Sequence, residues 1–288
     1  ADGDDEETAG TEGLMLSRLE LDGLGSPADI ARRIHELAPD LPLHFTIEDI
    51  CRQLDIESIE ERPVTSFEAM LLMDEHKAYG TIVLAKGQKP ERRRFSIAHE
   101  LGHFLIPTHK GHSEGGFACS LGDLRVEDTR EHDRRQRIEA EANRFAAHLL
   151  MPPTRIRSAL TLRQPDLREI VRLAGEFGVS REAMARGYID AHRETLAVVI
   201  LHHGRIDRIY RDKDFPWIGP RYGEPAPTDS IATGHDFQPG QFSDMEECDL
   251  ETWFGDHSAR QVEVLSEQVL VQQNGWATIL LNAEMSDS

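Results

Sequence analysis

The sequence predicts an α+β protein, and three observations carry that prediction. Up to about residue 153, segments with apolar residues three and four apart alternate with two short runs rich in Ile, Val, Leu and Met, so helices and strands are mixed. Residues 154 to 193 keep helical spacing alone. Beyond about 194 the texture changes to strand-like runs around a Pro- and Gly-rich stretch. At 288 residues the chain can form one large domain or two ordinary ones. The expected division is an acidic disordered tail over 1–13, a mixed domain over 14–153, a helical extension over 154–194 and a small β-rich domain over 195–288.

Each element has a local reason. The opening ADGDDEETAGTEG holds six acids and no bases, with too few apolar groups to offset the entropy of ordering. SPADIARRIHELA has Ser26 as a cap and Pro27 in the first helical position. TIEDICRQLDI starts at Thr46 with Asp49 three residues on, a capping-box-like pattern. Its apolar face takes in Ile47, Ile50, Cys51 and Leu54, which makes Cys51 a core residue. SFEAMLLMD and KAYGTIVLAKG read as strands joined by a turn at Asp74–Lys77. A helix from about Arg92 to Ile106 is stopped by Pro107. A long polar loop then runs over 107–130. The next helix, from about Glu131 to Leu150, buries Ile138, Ala142, Phe145, Ala146 and Leu149, and Pro152 and Pro153 end it. LAVVILHHGRIDRIYR and RQVEVLSEQVLVQQNGWATILLNA read as strands, the latter with an Asn274–Gly275 hairpin turn.

Charge and cysteine content narrow the function classes. Lys and Arg total 32 against 52 Asp and Glu, a formal charge of −20. Such a surface repels nucleic acid and anionic membrane and attracts basic partners. The three widely spaced cysteines, Cys51, Cys119 and Cys248, are no disulfide framework and fit a reducing compartment. The longest apolar run, Leu196 to Leu201, is too short to cross a membrane. The expectation is a cytoplasmic protein, although the chain starts at Ala1 rather than Met.

The chemistry concentrates in FSIAHELGHFLIP, residues 95–107. On a helix, His99 and His103 share a face one turn apart, so two neutral imidazoles can bind one Zn²⁺. Glu100, one step round from His99, is placed to act on a water at that ion as a general base. The H-E-x-x-H spacing is therefore a mechanism as well as a pattern. The alternative is a pair of hydrogen-bonded histidines on an amphipathic helix.

A site with two histidines needs a third protein ligand. His109 is one candidate, because residues 99–109 nearly match H-E-x-x-H-x-x-G-x-x-H. Ile106 stands where that pattern wants Gly, and a β-branched residue tolerates positive φ poorly. Glu139, on the next long helix, is the favoured candidate. Asn143, four residues on, could hydrogen-bond a liganding histidine from behind and fix its tautomer. Glu141 is the rival, about 200° round the helix from Glu139.

RRRFSIAHELGHFLI followed by EAEANRFAAHLLMP resembles the ImmA/IrrE family of zinc metallopeptidases, over roughly residues 27–192. The paired strings R-F-[ST]-x-A-H-E-x-x-H and E-x-x-A-N-x-F-A-A-x-L-[LM]-P carry the resemblance. It implies a zincin-like, gluzincin-type metallopeptidase domain with appended helices and a small C-terminal β-rich domain. It implies His99, His103 and Glu139 as zinc ligands and Glu100 as catalytic base. It also implies a role in transcription regulation or stress response, through a DNA-binding repressor or antitoxin-like partner that is cleaved or inactivated. The residues from about 195 on are fewer than the sensor-like domain of the radiation-response members would need, so that sensing role does not carry over.

Other residues have a functional and a structural reading. Cys119 could cap the metal as a thiolate switch, or simply be a semi-buried structural cysteine. LAGEFGVSREAMARGYI resembles a helix-turn-helix, and residues 155–193 hold eight Arg against five acids, so direct DNA binding stands beside a bracing role. Arg186 and Tyr188 are candidate oxyanion donors. The strand YGTIVLA is either a core strand or one that pairs with an extended peptide substrate. Arg92–Arg94 read as a solvated helix start that braces the sheet. The reading is a zinc endopeptidase acting on a regulatory protein. The alternative is a non-proteolytic regulator that binds a repressor or DNA, with a structural or vestigial zinc site.

Overall fold

The computed structural model describes residues 16–109, 116–119, 134–162, 164–234 and 238–286. The acidic tail expected over 1–13 lies outside the described residues. The protein is α+β, with two sheets among the described residues, and it divides into two compact units, Ala1–Pro152 and Pro153–Ser288. Among the described residues, no helix is long and apolar enough to cross a membrane.

In the first unit, α1 (Pro27–Leu37) and α2 (Ile47–Gln53) begin after Ser26 and Thr46. Neither side chain caps its helix. Asp49 bonds Arg52 at 2.8 Å. Cys51 is fully buried. β1 (Ile56–Arg62), β2 (Ala69–Met73), β3 (Gly80–Ala85) and β4 (Gly116–Cys119) form a sheet in the order β1-β3-β2-β4. β1 runs parallel to β3, and the other pairs are antiparallel. β1 and β4 are elements that sequence reasoning missed. The segment IESIEER of β1 is mostly charged, and its place is set by pairing with a distant strand. β4 lies inside the stretch expected to be a loop. Because β3 is paired along both edges, it is a core strand and has no edge for a substrate peptide.

α3 (Pro90–Leu105) packs on β2 and β3 of this sheet. Pro90 opens it, Pro107 follows its end, and its residues from Ser96 to Phe104 are all buried. A helix buried on every side is the spine of its domain. The arginines at its start divide the bracing. Arg92 bonds Glu68 at 2.8 Å, and Arg93 pairs with Glu61 at 2.9 Å and with Glu48. Arg94 is buried rather than solvated, its guanidinium 4.5 Å from the Phe45 ring centre and bonded to the Phe45 carbonyl. α4 (Arg134–Leu150) packs on α3 and α1. The approach of α4 to α3 depends on Gly102, where a Cβ would sit 2.9 Å from Phe145 Cδ1.

The second unit starts with α5 (Pro153–Ala159), α6 (Leu167–Phe177) and α7 (Arg181–Ala191). α6 ends at Gly178 in the left-handed region (φ 62°), with its amide on Ala174 and Gly175 carbonyls. An antiparallel sheet follows in the order β6-β5-β9-β8-β7. Its strands are β5 (Thr195–His202), β6 (Arg205–Arg211), β7 (Glu246–Cys248), β8 (Val262–Val271) and β9 (Trp276–Met285). The short helices α8 (Ile231–Gly234), α9 (Leu250–Trp253) and α10 (Asp256–Ala259) precede or flank β7. The β8–β9 hairpin turns at Asn274 and Gly275, with φ of 58° and 75°. The helices expected as a separate extension over 154–194 belong to this unit. The Leu167 amide bonds Gln268 Oε1 of β8 at 2.7 Å, and α7 packs on β5 and β6.

Candidate metal centre

His99 and His103 lie one helical turn apart on α3, and both are fully buried. Their Nε2 atoms are 3.1 Å apart. Glu139 Oε2, carried in by α4, is 3.2 Å from His99 Nε2 and 3.5 Å from His103 Nε2. Two imidazole nitrogens and a carboxylate oxygen this close need positive charge between them, supplied by protons or by a cation. His99, His103 and Glu139 could together hold a metal ion.

The outer ring nitrogens are also held. His99 Nδ1 is 3.1 Å from Asn143 Oδ1, one turn beyond Glu139 on α4. An acceptor there keeps the ring proton on Nδ1 and leaves the Nε2 lone pair facing Glu139. Burial pushes the His103 imidazolium down to about 3, so the ring is neutral at pH 7 and its lone pair is available. Burial alone would raise the Glu139 carboxyl, but positive charge at the His103 and His99 nitrogens outweighs it and holds the group well below the usual carboxylate range.

Residues 51–187 match a peptidase family model, Peptidase M78, described as the IrrE N-terminal-like domain. A solved Mycobacterium tuberculosis transcriptional regulator is similar in fold, with a TM-score of 0.51, 13% identity, and coverage of 89% of this chain and 76% of that one. At that identity the likeness concerns fold alone. A search of curated proteins returns no match.

The matched span contains every residue of the group, and Glu100 follows His99 on the buried spine helix. His109 stands one step further out. Its Nδ1 is 3.1 Å from His103 Nδ1 and its Nε2 is 3.0 Å from Glu141 Oε2. Ile106 has φ −72° and ψ 119°, so the chain leaves α3 without the left-handed turn a Gly would allow. Glu141 thus meets His109 rather than Glu139's partners. Cys119 pairs through its backbone with Ala69 in the sheet, and its side chain lies outside the described residues.

The other candidates lie in the second unit. The Tyr188 hydroxyl accepts a bond from the Asp166 amide at 3.2 Å in a fully buried position. The Arg186 guanidinium lies 5.0 Å from the Tyr210 ring centre. Glu182, on the same helix, bonds Arg208 and Tyr210 at 2.5 Å. The face of α7 that carries Arg186 is thus occupied by β6.

Proposed function

We propose that this protein is a zinc-dependent endopeptidase of the IrrE type, acting on a regulatory protein of the repressor or antitoxin kind. The observation that supports it most is the spacing of the three donor atoms. Tetrahedral zinc with bonds of about 2.0–2.1 Å separates its ligand atoms by roughly 3.3–3.4 Å. The three separations here are 3.1, 3.2 and 3.5 Å. Two neutral imidazoles and one carboxylate are also the donor set of hydrolytic zinc sites, which keep a position open for water.

Zinc bound there supplies Lewis acidity, which polarises a peptide carbonyl and acidifies a water. Glu100 takes the proton from the attacking water and hands it to the leaving nitrogen. Its burial beside His99 keeps bulk water from competing for that proton. Asn143 fixes the His99 ring so that its lone pair stays aimed inward. The formal charge of −20 favours a basic segment as substrate, as in a DNA-binding regulator.

The test takes the full chain, wild type, Glu139→Ala and Glu100→Gln, purified without added metal. About one zinc per chain is expected in wild type and Glu100→Gln and little in Glu139→Ala. Cleavage of a candidate regulator encoded next to this gene is expected from wild type alone. Zinc retained by Glu139→Ala would remove Glu139 from the site. Full function of Glu100→Gln would leave the non-proteolytic regulator as the better reading.

A further inference from the structure

The helix that brings Glu139 to the histidines also brings Glu141, and the two carboxylates meet different partners. Glu141 divides its oxygens: Oε1 accepts from Arg137 Nε at 3.0 Å, and Oε2 lies 3.0 Å from His109 Nε2. His109 Nδ1 in turn lies 3.1 Å from His103 Nδ1. Both rings are fully buried, and the Glu141 side chain is 21% exposed.

The proton positions along this chain follow from one another. If His103 offers its Nε2 lone pair to the metal, its ring proton sits on Nδ1. That N–H donates to His109 Nδ1, which must be bare. The His109 proton is then on Nε2, where it donates to Glu141. The backbone holds the geometry: the His109 amide bonds the Ile106 carbonyl at 3.2 Å, folding the chain back beneath His103.

We propose that His109 and Glu141 are positioning residues, a relay that fixes the His103 tautomer and strengthens its hold on the metal. The proposal rests on the metal-site reading above. The two ligand histidines are then held unequally. His99 leans on a neutral amide oxygen, whereas His103 leans on a ring backed by a carboxylate, which makes it the more basic donor. Such outer partners change metal affinity by about 10–100-fold.

Zinc is titrated into the full chain against a chromophoric chelator, using wild type, His99→Ala, His109→Ala, Glu141→Ala and Glu141→Gln. The expected result is an affinity loss of about 10–100-fold for His109→Ala and Glu141→Ala. Glu141→Gln, which keeps a carbonyl acceptor, should recover part of it. Ring ¹⁵N spectra of zinc-loaded wild type should show His103 protonated at Nδ1 and His109 at Nε2, with the His109 tautomers mixed in Glu141→Ala. Unchanged affinity in Glu141→Ala and unmixed tautomers, with zinc lost in His99→Ala, would overturn the relay and leave the metal site standing. Zinc retained by His99→Ala, or none bound by wild type, would overturn both. If His109→Ala does not fold, the Glu141 variants and the tautomers still decide the matter.

Discussion

Lys77 Nζ lies 2.8 Å from the carbonyl oxygen of His103 and 2.8 Å from that of Ile106. The last carbonyls of a helix have no partner within it, and a cation there also meets the negative end of the helix dipole. Lys77 sits in the turn between β2 and β3 with φ 51°, and its own carbonyl accepts from Arg18 Nη1 at 2.6 Å. The turn between two strands therefore clamps the end of the helix that carries the histidines. Lys77→Met should lower unfolding free energy by about 1.5–3 kcal/mol, the range for hydrogen bonds from a charged donor. Zinc affinity should fall as well, because the His103 end of α3 frays. Urea denaturation and chelator competition measure both, and a variant as stable as wild type would refute the clamp.

Gly102 sets the distance between the two site helices. Replacing it with Ala gains about 1 kcal/mol of helix propensity. It also places a methyl 2.9 Å from Phe145 Cδ1, and overpacking of this kind costs about 1–3 kcal/mol. Phe145 is fully buried, so it has little room to yield and the clash should win. Gly102→Ala is expected to melt lower and bind zinc more weakly, because α4 carries Glu139 away from α3. A higher melting temperature with unchanged zinc affinity would refute this account.

Asn143 Oδ1 lies 3.1 Å from His99 Nδ1. Asn143→Ala should leave the fold intact and weaken zinc binding by about 10–100-fold, with the His99 ring tautomer no longer fixed. Asn143→Asp keeps an acceptor and should bind more tightly than the Ala variant. If both variants bind zinc as wild type does, the hydrogen bond has no bearing on the site.

Glu169 on α6 gives a pH prediction for the second unit. It is buried, accepts from the Thr161 amide at 3.2 Å and from Arg172 Nη2 at 2.7 Å, and also bonds the Thr161 hydroxyl. Burial raises the carboxyl, but these bonds outweigh it and hold the folded value below the ordinary 4.5. In the interval between those values the unfolded chain binds the proton and the folded chain does not. The stabilisation is therefore present above pH 4.5 and is lost as pH falls through the folded value. Glu169→Gln should cost about 1–3 kcal/mol at pH 7, and the difference from wild type should close in acid. A difference that stays constant from pH 7 to pH 3 would exclude this linkage.

Much of this was legible in the sequence because it is local. Helical spacing alone puts His99 and His103 on one face, and puts Asn143 one turn beyond Glu139. Pro107 marks where the chain leaves α3, and Asn274–Gly275 marks the hairpin. What escaped is non-local. β1 is a charged string whose strand character comes from β3, and β4 gains its place from β2. Ser26 and Thr46 mark helix starts correctly, yet their side chains make no cap bonds.

The sequence by itself determined the α+β class, the family resemblance and the residue types able to hold a metal, since these depend on composition and on spacing along one helix. Only the tertiary structure decided which carboxylate meets which histidine. Glu139 and Glu141 are two residues apart on the same helix, and both were open as partners. The rotation of α4 against α3, set by Phe145 packing on Gly102, turns Glu139 toward the Nε2 atoms and Glu141 toward His109. That angle comes from side-chain packing between helices some forty residues apart in the chain, as His99 and Glu139 are, and no local pattern contains it.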